Sequence, residues 1–291
     1  MNGPSELRRL LASKEMLVAP GVYDGISTTL AQKCGFPLLY VAGHAVALSA
    51  IGSPDIGLVS FGEMVERTRQ IISVAETPII VDADTGYGNH LNVYRTVTEL
   101  ERTGVAGIQL EDQENPKRCG HLNQKSVIPV SEFLTKIRAA RVARENPDLV
   151  LIARTDSRGP NGLDEAIDRA NRYFDAGADL IFIEAPESEQ ELIEITQRVS
   201  APLVFNVVAG GKTPWIAFDI LREIGIRIAL VPGIASISAV ASMETAFASL
   251  KAKSELPTYM HAHSPSSLFA RFGSSEWERL EKDLLQGEGE P

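Results

Sequence analysis

Short, nearly unbroken apolar runs alternate with longer segments of helical periodicity along most of the chain. The runs at 17–19, 38–42, 79–83, 107–110, 149–153, 180–183, 203–205 and 228–231 are rich in Val, Ile and Leu. Strands buried on both faces of a parallel sheet read this way, without the polar alternation of a half-exposed strand. Between them, apolar residues recur at helical spacing over 24–34, 61–74, 91–103, 131–144, 163–176, 188–199, 213–224 and 236–251. Gly35, Gly104, Gly177 and Gly225 stand just past four of these segments, where a helix ends readily in a left-handed residue. Eight such strands alternating with helices predict an α/β protein, a closed (β/α)8 TIM barrel. A doubly wound open sheet is the alternative, but the G-x-G-x-x-G turn of its nucleotide-binding versions does not follow the first strand. The pattern places the barrel in 1–253 and a helical extension, rich in Ser and Pro at its start, in 254–291, with a helix over 275–285.

Composition narrows the function classes. The 291 residues hold 28 Lys and Arg against 38 Asp and Glu, a net charge of −10, which argues against a nucleic-acid partner. No apolar run approaches the roughly 20 residues that cross a bilayer, and the first residues carry no charged-then-apolar leader pattern. Only Cys34 and Cys119 occur, too few for a disulfide framework, so a reducing cytoplasmic setting is expected.

In a barrel of this kind the C-terminal strand ends line the active site. Here those ends are polar: Asp82 and Asp84 after the third strand, Glu111 and Asp112 after the fourth, Arg154 and Asp156 after the fifth, Glu184 after the sixth, Asn206 after the seventh. Period-2 alternation sends Asp82 and Asp84 to one side, where two like charges need a cation between them or serve merely as strand-end caps. A hard ion such as Mg²⁺ suits carboxylates and substrate oxygens. Arg154 reads either as a barrel ion pair with Glu184 or as a bidentate clamp on a substrate carboxylate. The run Lys117-Arg118-Cys119-Gly120-His121 reads either as a basic surface loop or as a mobile loop carrying a thiol with a lowered pKa, able to act as acid, base or nucleophile. Tyr23, Asp24, Tyr40 and the pair Gly43-His44 are weaker signals at the first two strands. Gly210-Gly211-Lys212-Thr213 lacks the spacing of a phosphate loop and reads as a flexible turn.

The segments Pro20–Gly25, Ser53–Gly57, Val81–Gly88, Leu110–Gln113, Lys117–His121, Ala153–Asp156 and Gly210–Pro214 together resemble the isocitrate lyase and phosphoenolpyruvate mutase superfamily, over about 17–246. The Lys-Arg-Cys-Gly-His run resembles its carbon–carbon lyase branch most of all. The resemblance implies a barrel that exchanges its last helix with a partner in a homotetramer. It implies Mg²⁺ (or Mn²⁺) held near Asp82, Asp84 and Glu111, with Asp55 in support. It implies a small 2-hydroxy or 2-oxo acid bound by Ala42, Gly43, His44, Arg154, Glu184 and Asn206. Cys119, Lys117, His121, Arg154 and Tyr40 become the catalytic set, with Cys119 as proton donor and Tyr40 as base for the 2-hydroxyl. The implied reaction is retro-aldol cleavage of a 2-methylisocitrate- or dimethylmalate-like acid to a 2-oxo acid and a carboxylate. The same superfamily implies, as alternatives, a carboxyphosphonoenolpyruvate phosphonomutase or an oxaloacetate-cleaving or decarboxylating enzyme. The chain departs from many lyases at Ala42-Gly43-His44, Gln109, Val208-Ala209 and Val231-Pro232-Gly233-Ile234. Those departures make the distal half of the site more apolar and point to a smaller, alkyl-substituted malate-like substrate.

Overall fold

The computed structural model describes residues 3–122 and 124–286. Its elements run α1 (Gly3–Ala12), β1 (Leu17–Val22), α2 (Gly25–Lys33), β2 (Leu39–Val41), α3 (Gly43–Ile51), α4 (Phe61–Ile72), β3 (Ile79–Asp82), α5 (His90–Glu101) and β4 (Gly107–Glu111). They continue with α6 (Val130–Ala143), β5 (Val150–Thr155), α7 (Arg158–Asn161), α8 (Leu163–Asp175), β6 (Leu180–Ile183), α9 (Glu189–Arg198), β7 (Leu203–Asn206), α10 (Phe218–Glu223) and β8 (Ile228–Val231). Last come α11 (Ile234–Lys253), a 3₁₀ turn (Thr258–Ala262), α12 (Pro265–Ala270) and α13 (Ser274–Gln286). The eight strands are all parallel and close in sequence order, β1 pairing with β8. The expected (β/α)8 barrel is therefore the fold.

Strand parity explains both the apolar runs and the site. On β5, Val150 and Ile152 belong to the cluster inside the barrel, whereas Leu151 and Ala153 join the cluster between the barrel and its helices. Both faces are buried, so both must be apolar. The inward parity of β5 then reaches Arg154, that of β3 reaches Asp82, and those of β4, β6 and β7 reach Glu111, Glu184 and Asn206. At the opposite end α1 lays Leu7, fully buried, against this inner cluster.

The structure differs from the sequence expectation in places. Helix α10 is shorter than the expected 213–224 segment: residues 213–217 form no helix, and there Thr213 and Ile216 are buried while Pro214 and Trp215 stay exposed. Helix α3 was not expected: GHAVALSAI has no amphipathic stripe to read, and helix α1 was likewise passed over. The four expected glycine stops all have positive φ, between 80° and 103°.

The chain divides into two compact units, Met1–Ile237 and Ser238–Pro291, with the division inside α11. Of the second unit's helices, α13 covers the helix expected at 275–285. Along α11, Ile237, Val240, Met243, Phe247 and Leu250 are all exposed at spacings of three and four residues, one continuous apolar stripe.

Candidate active site

The C-terminal ends of β2 to β6 gather Asp82, Asp84, Glu111, Lys117, Arg154 and Glu184, every one of them buried. Strand β3 ends at Asp82, and Asp84 sits just beyond it with φ 47°. The two carboxylates still share one side, but a left-handed turn puts the second there rather than continued strand pleating. Asp84 Oδ1 forms an ion pair with Lys117 Nζ at 2.8 Å, and the same ammonium donates to Asp55. Glu111 Oε2 lies 3.2 Å from Arg154 Nε, and its Oε1 accepts from Gln113 Nε2 at 2.8 Å.

Arg154 is held flat by a bidentate pair with Asp156, 2.8 Å from Nε to Oδ2 and 3.0 Å from NH2 to Oδ1. Its NH2 also stands 3.3 Å from Glu184 Oε1, so the ion pair expected with Glu184 forms, although Asp156 is the tighter partner. Lys125 Nζ completes this row at 2.8 Å from Asp156. Sequence reasoning missed Lys125 because it lies in an irregular stretch with no spacing to mark it. Asp112 follows the other parity and leaves the site. Its carboxylate faces outward and accepts from Thr155 Oγ1, Tyr173 OH, Arg169 NH1 and the Asp156 amide, joining β4 and β5 to α8.

The Lys117–His121 loop is seated over this floor. Arg118 exchanges two hydrogen bonds with the Gln113 amide, and the Cys119 N–H donates to the Asp55 carbonyl at 3.2 Å. Gly120 lies so close to the floor that a Cβ on it would stand 2.1 Å from Glu184 Oε1 and 2.3 Å from Arg154 NH2. Glycine is the residue that permits this approach.

Burial governs the electrostatics. It lifts Asp84 to about 6 against the pull of Lys117, and it lifts Glu111 well above the carboxylate range against Arg154. Burial alone would lower Lys117, yet Asp84, Asp55, Glu111 and Asp82 carry it well above its usual value. Burial and Asp82 raise the phenol of Tyr40; Arg154 pulls the other way. The thiol of Cys119 corrects the expectation of an easily formed thiolate. Burial raises it, Asp55 and Glu184 add to the rise, and only the His121 backbone N–H and Arg154 oppose them. Lys117 is spent on carboxylates and Arg118 is exposed, so neither acidifies the sulfur as the sequence suggested.

The site fits a hard divalent cation that keeps part of its water. Six carboxylates (Asp55, Asp82, Asp84, Glu111, Asp156 and Glu184) face the three fixed cations Lys117, Lys125 and Arg154. At Gly43 a Cβ would stand 3.0 Å from Asp82 Oδ2 and 3.5 Å from Asp84 Oδ1, so the bare glycine leaves a hollow edged by carboxylate oxygens. Among the described residues no three His, Cys, Asp or Glu side chains are grouped closely enough to hold a metal ion by themselves. Ala42 caps the amino end of α3, and Gly43 and His44 form its first turn. His44 Nε2 lies 3.2 Å from Ser236 Oγ, and burial keeps the ring neutral. Asn206 reaches Glu184 at 3.4 Å, a long contact, and its Oδ1 has no hydrogen-bond partner among the described residues.

Residues 7–251 match the sequence model of the phosphoenolpyruvate phosphomutase family. The chain belongs to that family. A 2,3-dimethylmalate lyase of Eubacterium barkeri is 42% identical over 251 residues, 86% of this chain and 87% of that one. A 2-methylisocitrate lyase of Aeropyrum pernix is 46% identical over 226 residues, 78% and 72% of the two chains. Among solved structures, oxaloacetate acetylhydrolase bound to 3,3-difluorooxalacetate superposes with a TM-score of 0.92 at 34% identity, covering 98% of this chain and 97% of that one. Phosphonopyruvate hydrolase, solved with oxalate and Mg²⁺, superposes at 0.88 and 26% identity over 98% and 100% of the chains.

Proposed function

We propose that this family member is an enzyme that cleaves the carbon–carbon bond of a small 2-hydroxy dicarboxylate, of the dimethylmalate or methylisocitrate class, to a 2-oxo acid and a carboxylate. The observation that carries the reading is the seating of Gly120 against Arg154 and Glu184, which brings the adjacent Cys119 over a carboxylate-and-arginine floor. The lyase names of the two relatives support the substrate class.

Asp82, Asp84 and Glu111, with Asp55 behind Lys117, would hold Mg²⁺ or Mn²⁺. The ion would supply positive charge beside the substrate's C1 carboxylate and 2-oxygen. Arg154, oriented by Asp156, binds a substrate carboxylate, with the amino end of α3 at Ala42, Gly43 and His44 on the other side. Glu184 and Asn206 meet the distal part. Tyr40, as the phenolate, takes the 2-hydroxyl proton and ends as the neutral phenol; Arg154 favours the phenolate it starts from, against burial and Asp82. The O–H electron pair becomes the new C=O bond, and the broken C2–C3 pair stays on the carboxylate-bearing fragment. Cys119, kept protonated by burial, gives its S–H proton to that carbon. Lys117 and His121 hold the loop and exclude water from the carbanionic fragment.

Incubation with 2-alkylmalates, 2-methylisocitrate and oxaloacetate, with Mg²⁺ or chelator, and detection of the released 2-oxo acid tests this. Metal-dependent 2-oxo acid from a 2-alkylmalate is expected. No turnover of any hydroxy acid would sink the reading. A second reading, cleavage or decarboxylation of oxaloacetate, has support from the acetylhydrolase likeness and shows itself as turnover of oxaloacetate alone. A phosphonomutase would require a phosphorus-containing substrate.

The exposed apolar stripe of α11 supports a helix exchanged between subunits of a homotetramer, with residues from 254 onward extending the barrel unit. Light scattering at micromolar concentration should then give four chains per particle. No helix among the described residues is long and apolar enough to cross a membrane, and the two free cysteines support a cytoplasmic setting.

A further inference from the structure

We propose that the turn Gly210-Gly211-Lys212, after β7, is a latch that positions His121 and, through it, Cys119. By residue spacing this turn reads only as flexible, but the structure ties it directly to the thiol loop. The Lys212 backbone N–H donates to His121 Nδ1 at 3.0 Å. A ring nitrogen that accepts carries no proton, so the neutral ring holds its proton on Nε2. That atom faces Glu184 Oε1 at 3.4 Å and has no other partner among the described residues. The latch thus selects the tautomer whose N–H points at the carboxylate beside Arg154.

Gly211 is what lets the ring in. A Cβ there would stand 2.6 Å from His121 Nδ1 and 2.8 Å from Cε1, and the obstacle is a packed ring rather than a flexible chain end. Coupling to the thiol is short, because His121 stands two residues from Cys119 in the same loop. The loop is then fixed at its start by Lys117 on Asp55 and Asp84, near its middle by Gln113 on Arg118, and at its end by the latch. The first two anchors lie on or next to the carboxylate floor. The third belongs to a different part of the barrel rim and acts through one backbone amide and the absence of one side chain. Gly211 and Lys212 are in this sense positioning residues.

The latch rests on the proposed reaction only where turnover is measured, so its main readout is independent of activity. Iodoacetamide alkylation of Cys119, followed by peptide mass spectrometry, reports how well the loop shields the thiol. The exposed Cys34 of the same chain supplies the reference rate. Gly211→Ala should raise the Cys119-to-Cys34 rate ratio about tenfold, and Lys212→Ala, which keeps the amide, should leave it within about twofold. Adding Gly211→Ala to His121→Ala should change the ratio no further, because the two substitutions act on one contact. Lys212→Pro, which removes the donor and sets the proline Cδ against the ring, should match Gly211→Ala. The wild-type protein carries its own check: the carbon and nitrogen chemical shifts of His121 should show a neutral ring protonated at Nε2. A ring protonated at Nδ1, an unchanged ratio in folded Gly211→Ala, or a ratio raised equally by Lys212→Ala overturns the proposal. On the substrate found by the acid screen, Gly211→Ala should lower kcat about tenfold with KM unchanged. A changed alkylation ratio in a protein that turns over no hydroxy acid would leave the latch standing and remove only the reaction.

Discussion

The rim of the barrel is built in two ways. From β3 to β6 it is a continuous row of buried charge in which Lys117 and Arg154 each bridge carboxylates and Lys125 pairs with Asp156. From β7 to β8 it offers Asn206, whose Oδ1 has no hydrogen-bond partner among the described residues, followed by Val208 and Pro232. Charge in the first arc is expensive to bury and is held by pairing, so each group has its geometry fixed by at least one neighbour. The second arc has no such constraint and can change its side chains without unbalancing a network. Chemistry common to a family belongs in the first arc, and choice of substrate belongs in the second.

The comparison breaks most sharply at Cys119. If the paired arc and the loop above it carry the reaction, Cys119→Ser should lower kcat by about a thousandfold while titration calorimetry shows Mg²⁺ binding unchanged. Loss of metal binding together with turnover would mean that the substitution had disturbed the carboxylate floor instead. Arg154→Lys comes next. A lysine keeps the charge but cannot make the two-pronged contact with Asp156 that fixes the guanidinium plane, so kcat/KM should fall about a hundredfold. Retention of more than half the activity would show that only charge is needed there.

How much of this was legible follows from the same two arcs. Apolar runs with polar last residues marked the strands, and parity along each strand sent Asp82, Glu111, Arg154 and Glu184 inward. Parity also excludes Asp112, although it stands directly beside Glu111 in the sequence. The acidity of Cys119 was misjudged because flanking basic residues are visible in a sequence, whereas burial and the partners that claim Lys117 are not. Lys125 and the Gly211–Lys212 contact escaped for a related reason: each joins segments distant in the chain and irregular in structure. Val231 was grouped with the distal pocket, but it packs with the cluster outside the barrel, so the apolar character of that pocket rests on other residues.

The second arc is sharpened by substitution at Val208, which shares the inward parity of Val204 and Asn206 and borders a small cavity beside them. Val208→Ser would place a hydroxyl within that region without altering the charged arc. The ratio of kcat/KM for 2-methylisocitrate over a 2-alkylmalate should rise about tenfold, the range that one hydrogen-bonding group commonly supplies. An equal fall for both substrates would assign Val208 to packing rather than to choice.

The smallest effect concerns stability, and it places the two arcs on one scale. Burial lowers the pKa of His44, beside the first arc, and of His121, latched to the second. A histidine whose folded pKa is depressed stays neutral in the native state while the unfolded chain takes up a proton near pH 6.5. For these two rings the unfolded state binds more protons below that pH, so their contribution to stability falls as pH falls from neutrality, while Asp84 and Glu111, raised by burial, take up protons in the folded state and oppose the fall. In the metal-free protein the histidine contribution is the part of the slope of melting temperature against pH, between about pH 7.5 and 5.5, that substitution removes. His44→Asn and His121→Asn should each lower that part of the slope. Because His44 is the more deeply enclosed ring, its substitution should flatten the slope more. Equal slopes in all three proteins would move the acid sensitivity to other groups and would weaken the view that the latch holds His121 neutral.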